Sequence, residues 1–111
     1  MKNKSQKAGL NYELITQKFL DLNEYEEIVN TYLSDPFFKE IEKFLDDEDY
    51  ALAKDATKGL YLLAQDLQLF PLYFALLEIY EDLESELYKE AMKHYRDMLE
   101  TYGRIKGVFN V

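Results

Sequence analysis

The stretch YALAKDATKGLYLLAQDLQLFPLY, residues 50–73, predicts one long amphipathic helix, a short break and the start of the next helix. Its apolar residues recur at steps of three and four, which is the period of a buried helical face: Ala53, Ala56, Leu60, Leu63 and Leu67. The opposite face carries residues at the same steps: Lys54, Lys58, Tyr61 and Gln65. We expect the first set to lie in the core of a helical bundle. The second set is either a docking surface or a solvated face.

Composition predicts an all-α protein of one domain. The chain has 111 residues, of which 48% are hydrophobic and 32% charged. This is enough apolar material for a core and argues against disorder. Valine, which favours strands, occurs only at positions 29, 108 and 111. With 4 glycines and 2 prolines there is also little material for long loops.

Charge and cysteine content exclude several classes of function. The net charge of -9 opposes binding to nucleic acid or to an anionic membrane, because phosphate groups would be repelled. The absence of cysteine excludes disulfides, thiolate nucleophiles and Cys-ligated zinc. No apolar run approaches the roughly 18 residues of a membrane span. The basic start MKNKSQKAGL lacks the apolar segment of a signal peptide, so we expect a cytoplasmic location. We also expect the protein to be a monomer.

Helix-capping residues and prolines predict the order of the elements. Asn11 is positioned to cap a short helix over 12–20, and Asn23 one over 24–33. In Ser34-Asp35-Pro36, Asp35 can cap the turn that begins the segment 36–45, which is either a new helix or a kinked continuation of the preceding one. The remaining helices are predicted from 49 to about 67, from near 71, and over 86–105 after Ser85. The result is an up-and-down antiparallel four-helix bundle with a short extra N-terminal helix, occupying residues 9–106. Residues 1–8 are predicted to be a flexible tail and residues 107–111 a second tail.

Catalytic and metal-binding patterns are absent from the sequence. His94 is the only histidine, and Glu90 lies one turn before it. Carboxylate di-iron bundles need two Glu-x-x-His pairs, so that site is excluded in its usual form. The acidic run 46–49 lacks the glycine and the spacing of a calcium loop, and suits the N-terminus of the long helix instead. There is no Gly-rich phosphate loop. We therefore expect a protein that is not an enzyme and has no cofactor or metal.

Several short segments, in their order and spacing, resemble histidine phosphotransfer (HPt) domains, the four-helix bundles that relay phosphoryl groups in two-component signalling. The resemblance covers residues 9–105. The segments that carry it are Gly9-Leu10-Asn11-Tyr12, Phe19, Tyr25, Leu33-Ser34-Asp35-Pro36, Asp49-Tyr50 and Leu67-x-Leu69-x-Pro71-Leu72-Tyr73. The resemblance implies an HPt-like bundle.

The active motif of that family, His-x-x-Lys-Gly on the long helix, is not conserved in this chain. Counting without gaps from Asp49-Tyr50 places Lys58 where the histidine belongs, Tyr61 at the lysine and Leu62 at the glycine. A second register aligns Lys58 and the glycine after it with Lys-Gly, and places Asp55 at the histidine. In both registers the imidazole that would accept phosphate is missing.

The resemblance therefore implies a pseudo-HPt protein, which binds a receiver domain or a histidine kinase without carrying phosphate. The partner-binding face it implies is Lys54, Lys58, Tyr61, Leu62 and Gln65. An alternative is a helical interaction module unrelated to phosphorelay. A third hypothesis, which we rank last, is active phosphotransfer through His94.

Overall fold

The computed structural model describes residues 1–109, in which every regular element is an α-helix. The seven helices are α1 Lys2–Ala8, α2 Tyr12–Lys18, α3 Leu22–Leu33, α4 Phe37–Asp46, α5 Tyr50–Asp66, α6 Phe70–Glu84 and α7 Tyr88–Phe109. The prediction of an all-α fold is confirmed.

The helices pack into an elongated bundle, with principal extents of 41 × 22 × 19 Å. Helices α4, α5, α6 and α7 pack as consecutive neighbours, joined by three-residue connections. Helix α7 also contacts α3 and α4, so these elements surround one core. The inner stripe of α6 consists of Leu72, Leu76, Ile79 and Leu83, which recur at steps of three and four and are all buried.

The connections between α4, α5, α6 and α7 share one backbone turn. The middle residue of each has a positive φ: Glu48 at 56°, Gln68 at 61° and Glu86 at 59°. In each turn the next backbone N–H donates to a carbonyl in the last turn of the preceding helix, at 2.8 Å. This is the pattern of a Schellman cap, which usually carries glycine at that position.

Side-chain caps define several helix starts, and the cap of α2 is the one that the sequence predicted. Asn11 accepts a hydrogen bond from the N–H of Leu14, and Asp49 caps α5 in the same way. Helix α3 differs, because Asp21 and not Asn23 is its cap. The Asp21 carboxylate accepts from two backbone N–H groups, at 3.0 and 3.1 Å. The helix therefore begins at Leu22, two residues earlier than predicted.

The structure has helix at both ends where tails were predicted. Residues 2–8 form α1, in which Ser5 and Ala8 are buried and which packs on α7. Helix α7 continues beyond 105 as far as Phe109, whose ring is buried. The exposed glycines of α7, Gly103 and Gly107, each lower helix stability by only about 1 kcal/mol relative to alanine. Burial of the Phe109 ring offsets that cost. The rest of the predicted C-terminal tail, residues 110–111, lies outside the described residues.

The inward face of α5 is rotated relative to the sequence prediction. Its buried residues are Ala53, Thr57, Leu60 and Ala64. Leu63, which was predicted to be buried, is 48% exposed, so that prediction was wrong. Ala56 is only partly buried. Thr57 takes the inward position because its hydroxyl donates to the Ala53 carbonyl at 2.6 Å, which satisfies the buried polar group within the helix.

A pair of leucines on α5 tests this phase of the helix. Leu60 is 2% exposed and Leu63 is 48% exposed, three residues apart. We expect Leu60→Ala to lower the free energy of unfolding by roughly 2–5 kcal/mol, because it leaves a core cavity. Leu63→Ala should cost less than about 1 kcal/mol. Chemical denaturation of both variants measures the difference. Equal costs would show that Leu63 also lies in the core, contrary to the structure.

Candidate docking face and the single histidine

The five residues of the predicted partner-binding face lie together on one side of α5. Lys58, Leu62 and Gln65 are exposed, whereas Lys54 and Tyr61 are partly buried. Their spacing of three and four residues places them along one strip of the helix surface. The structure therefore brings together the residues that the sequence grouped, and we call this strip the predicted docking face.

Aromatic side chains of α6 border the predicted docking face. The ring of Tyr61 packs edge-on against Tyr73, with centroids 5.9 Å apart, and tilts against Tyr80 at 5.4 Å. Tyr73 in turn contacts Phe74, which is 62% exposed. Tyr61 thus joins α5 to α6 as well as bordering the exposed strip. Leu62, 44% exposed, is the exposed apolar side chain of the strip.

A carboxylate of α6 offsets part of the positive charge of this face. The Nζ of Lys54 lies 3.7 Å from the Glu84 carboxylate. The hydrogen bond from Tyr80 and the charge of Lys54 lower the pKa of Glu84, and Lys58 contributes in the same direction. The same hydrogen bond raises the pKa of Tyr80 to about 12. Lys58 is left as the exposed cation of the predicted docking face.

The two motif registers place the histidine-equivalent residue in different surroundings. Lys58 is exposed beside Leu62 on the predicted docking face. Asp55 lines a groove between α4 and α5 instead. Neither position offers an imidazole, which is the nucleophile that the family's motif supplies.

The single histidine bridges α6 and α7. The Nε2 of His94 lies 2.8 Å from the Glu78 carboxylate, and its Nδ1 lies 2.5 Å from the Asp82 carboxylate. Both ring nitrogens therefore have carboxylate partners on α6. Phosphoryl transfer needs a neutral imidazole with an accessible lone pair. This arrangement disfavours phosphotransfer through His94.

The same carboxylates raise the pKa of His94. The hydrogen bond to Asp82 is the largest cause; partial burial opposes it, and the charges of Asp82, Glu78 and Asp97 add to it. The sequence placed Glu90 one turn before this histidine. The partners in the structure lie one helix away, where only the packing of α6 on α7 could reveal them.

Within residues 1–109, no group of three or more His, Cys, Asp or Glu side chains is placed to hold a metal ion. Over the same residues, no helix combines the length and apolar character that crossing a membrane requires.

Sequence reasoning missed a groove along the other side of α5. It was missed because the sequence pattern assigned Leu63 and Phe37 to the buried sides of their helices, which was wrong for both, and assigned Leu52 to neither side. These side chains are between 41% and 48% exposed. One signal was present in the sequence: residues 60–64 of α5, LYLLA, carry more apolar residues than a single buried stripe requires.

Comparisons with known proteins identify no family for this chain. No protein-family model matches it. No curated protein matches it significantly. No solved structure matches it significantly either. The HPt resemblance therefore stays a prediction from the sequence.

The two carboxylates that contact His94, those of Glu78 and Asp82, predict a pH dependence of stability. The pKa in the folded state is raised above the ordinary value of 6.5. The contribution of the imidazolium to stability is therefore fully present below about 6.5 and is lost as pH rises through the raised pKa. We expect His94→Gln to remove this part of the pH dependence, measured by denaturation at a series of pH values. Because there is one histidine, its NMR titration gives the pKa directly. A measured pKa of His94 at or below 6.5 would contradict its interaction with the two carboxylates.

Proposed function

We propose that this protein is a non-catalytic docking protein of phosphorelay signalling, a pseudo-HPt that binds a receiver domain or a histidine kinase through the predicted docking face. The observation that carries the proposal is the presence of exposed apolar and aromatic side chains where the resemblance places a phosphotransfer site, without an imidazole. Leu62 and the Tyr61–Tyr73–Phe74 cluster provide apolar contact area. Lys58 provides a single exposed cation.

Binding on this face needs no chemistry from the chain. A protein interface derives most of its affinity from a few buried aromatic and aliphatic anchors. Leu62 fits that role because it is exposed in the free protein and can be buried by a partner. Such a protein acts by occupying the surface of its partner, so that a phosphate-carrying competitor is excluded.

Leu62→Ala tests the docking face. We expect it to weaken binding to a receiver domain of the same organism by about tenfold, which corresponds to about 1.4 kcal/mol. Leu14→Ala on α2 is the matched control, because Leu14 is 40% exposed against 44% for Leu62. Calorimetric titration of both variants provides the measurement, and circular dichroism checks that each is folded. Tyr61→Ala is less suitable, since it also removes ring contacts with α6.

Receiver binding that is unchanged in Leu62→Ala and in Lys58→Ala would show that another surface is used. If no receiver domain or kinase binds, the protein belongs outside phosphorelay, as in the alternative of an unrelated interaction module.

Phosphate acceptance gives a second test. Incubated with a phosphorylated receiver and Mg²⁺, the protein should acquire no acid-labile phosphate, because Lys58 offers no imidazole and His94 is held by two carboxylates. Mass spectrometry and acid treatment detect the modification. The variant Lys58→His with Tyr61→Lys and Leu62→Gly is the smallest change expected to restore acceptance in the first register, and Asp55→His tests the second. Acid-labile phosphate on the unmodified protein that is lost in His94→Ala would overturn the proposal.

A further inference from the structure

A second surface, distinct from the predicted docking face, runs along the side of α5 that borders α3 and α4. Two adjoining depressions form it and share Asp35 and Leu63. One wall is α5; the other is α4 for part of the length and α3 for the rest. We call it the α5 groove. Its lining reaches from Leu52 to Asp66, which is about 21 Å at about 1.5 Å per residue. This length matches about four turns of a helix.

The floor and walls of the α5 groove are mainly apolar. Its apolar lining residues are Ile28, Phe37, Phe44, Leu52, Ala56, Leu60, Leu63 and Leu67. The part between α4 and α5 has a volume of about 330 Å³. It stays open because α5 presents Ala56 and Gly59 there. A Cβ added at Gly59 would meet nothing within 4 Å, so a longer side chain at that position would project into open space.

Every charged residue that lines the α5 groove is acidic. These residues are Glu24, Glu27, Asp35, Asp55 and Asp66. Phosphate, anionic lipid and acidic peptides would be repelled. A second copy of this chain, with a net charge of -9, meets the same repulsion. The charge of the rim favours an occupant that carries lysine or arginine.

The shape of the groove selects the conformation of the occupant. Each wall is a helix whose backbone groups are bonded internally, so the groove offers no strand edge to an extended peptide. A helical occupant satisfies its own backbone and needs only side-chain contacts. Apolar residues at steps of three and four would enter the groove, and basic residues on either side of that stripe would meet the acidic rim.

We propose that the α5 groove binds a basic amphipathic helix of a partner protein. The proposal rests on the apolar lining and the acidic rim, and it is independent of the phosphorelay function. The leucines of the partner helix lie over Gly59 and between Leu52 and Leu63. Its basic side chains pair with Asp35 and Asp55.

A designed peptide tests the proposal without knowledge of the natural partner. The probe is a helical peptide of about 18 residues, with leucines on one face and lysines on the other. We expect saturable one-to-one binding to the full-length protein. Gly59→Gln, which fills the groove, should weaken it at least tenfold. Gly103→Gln on α7 should leave it unchanged. A Cβ meets nothing within 4 Å at either glycine, so both variants should fold.

Further peptides separate specific binding from attraction between opposite net charges. A peptide of the same composition in scrambled order should bind at least tenfold more weakly, and one with glutamate in place of lysine should not bind. Leu62→Ala should leave peptide binding unchanged, which distinguishes the groove from the predicted docking face. A failure of receiver binding therefore has no bearing on this result.

Three outcomes would overturn the proposal. The first is equal binding of the ordered and scrambled peptides, or of the parent protein and Gly59→Gln. The second is the absence of any peptide binding. The third is a concentration-dependent dimer in sedimentation that Gly59→Gln abolishes, which would identify a second copy of the chain as the occupant.

Discussion

The bundle depends on one hydrogen bond at the break between α3 and α4. In an unbroken helix the Leu33 carbonyl would accept from the N–H of Phe37. That N–H donates to the Asp35 carboxylate instead, at 2.8 Å, and Pro36 has no N–H to offer. The hydroxyl of Tyr102 on α7 donates to the Leu33 carbonyl at 2.5 Å. A buried carbonyl without a partner costs about 1–3 kcal/mol, a large share of the stability of a small domain. Tyr102 therefore stabilises the break and joins α7 to the end of α3.

Other buried tyrosines act in the same way. Tyr95 donates to the Phe38 carbonyl at 2.7 Å, Tyr32 to that of Leu60 and Tyr25 to that of Leu67, both at 2.6 Å. These hydroxyls are buried, and each joins its own helix to another part of the bundle. Because each bond has a fixed direction, the set defines the rotation of the helices as well as their contacts. Apolar packing alone specifies that rotation less strictly.

How much of the fold could be predicted from the sequence depended on how far apart along the chain the interacting residues lie. The Asn11 and Asp35 caps were predictable, as was the apolar stripe of α6, because each involves residues a few positions apart. The phase of α5, meaning which of its faces turns inward, was not predictable. The residues LYLLA offer two apolar stripes, and the helices that pack against α5 determine which stripe is buried. The turns at Glu48, Gln68 and Glu86 lack the glycine that signals such a conformation. For the candidate site, the residues of the strip on α5 lie together because their spacing of three and four places them on one face of one helix. The carboxylates around His94 and the α5 groove depend on helix pairing, which the chain alone does not reveal.

Helix α5 combines these results, because it presents two different surfaces on either side of one exposed crest. Lys58 and Leu62 belong to the predicted docking face, whereas Gly59 and Leu63 line the α5 groove, so each surface takes residues that are sequence neighbours of the other. The small residues that allow α5 to pack closely inside the bundle, Ala53 and Ala64, hold this crest in a fixed position. Both surfaces thus depend on the same buried packing and neither requires an imidazole.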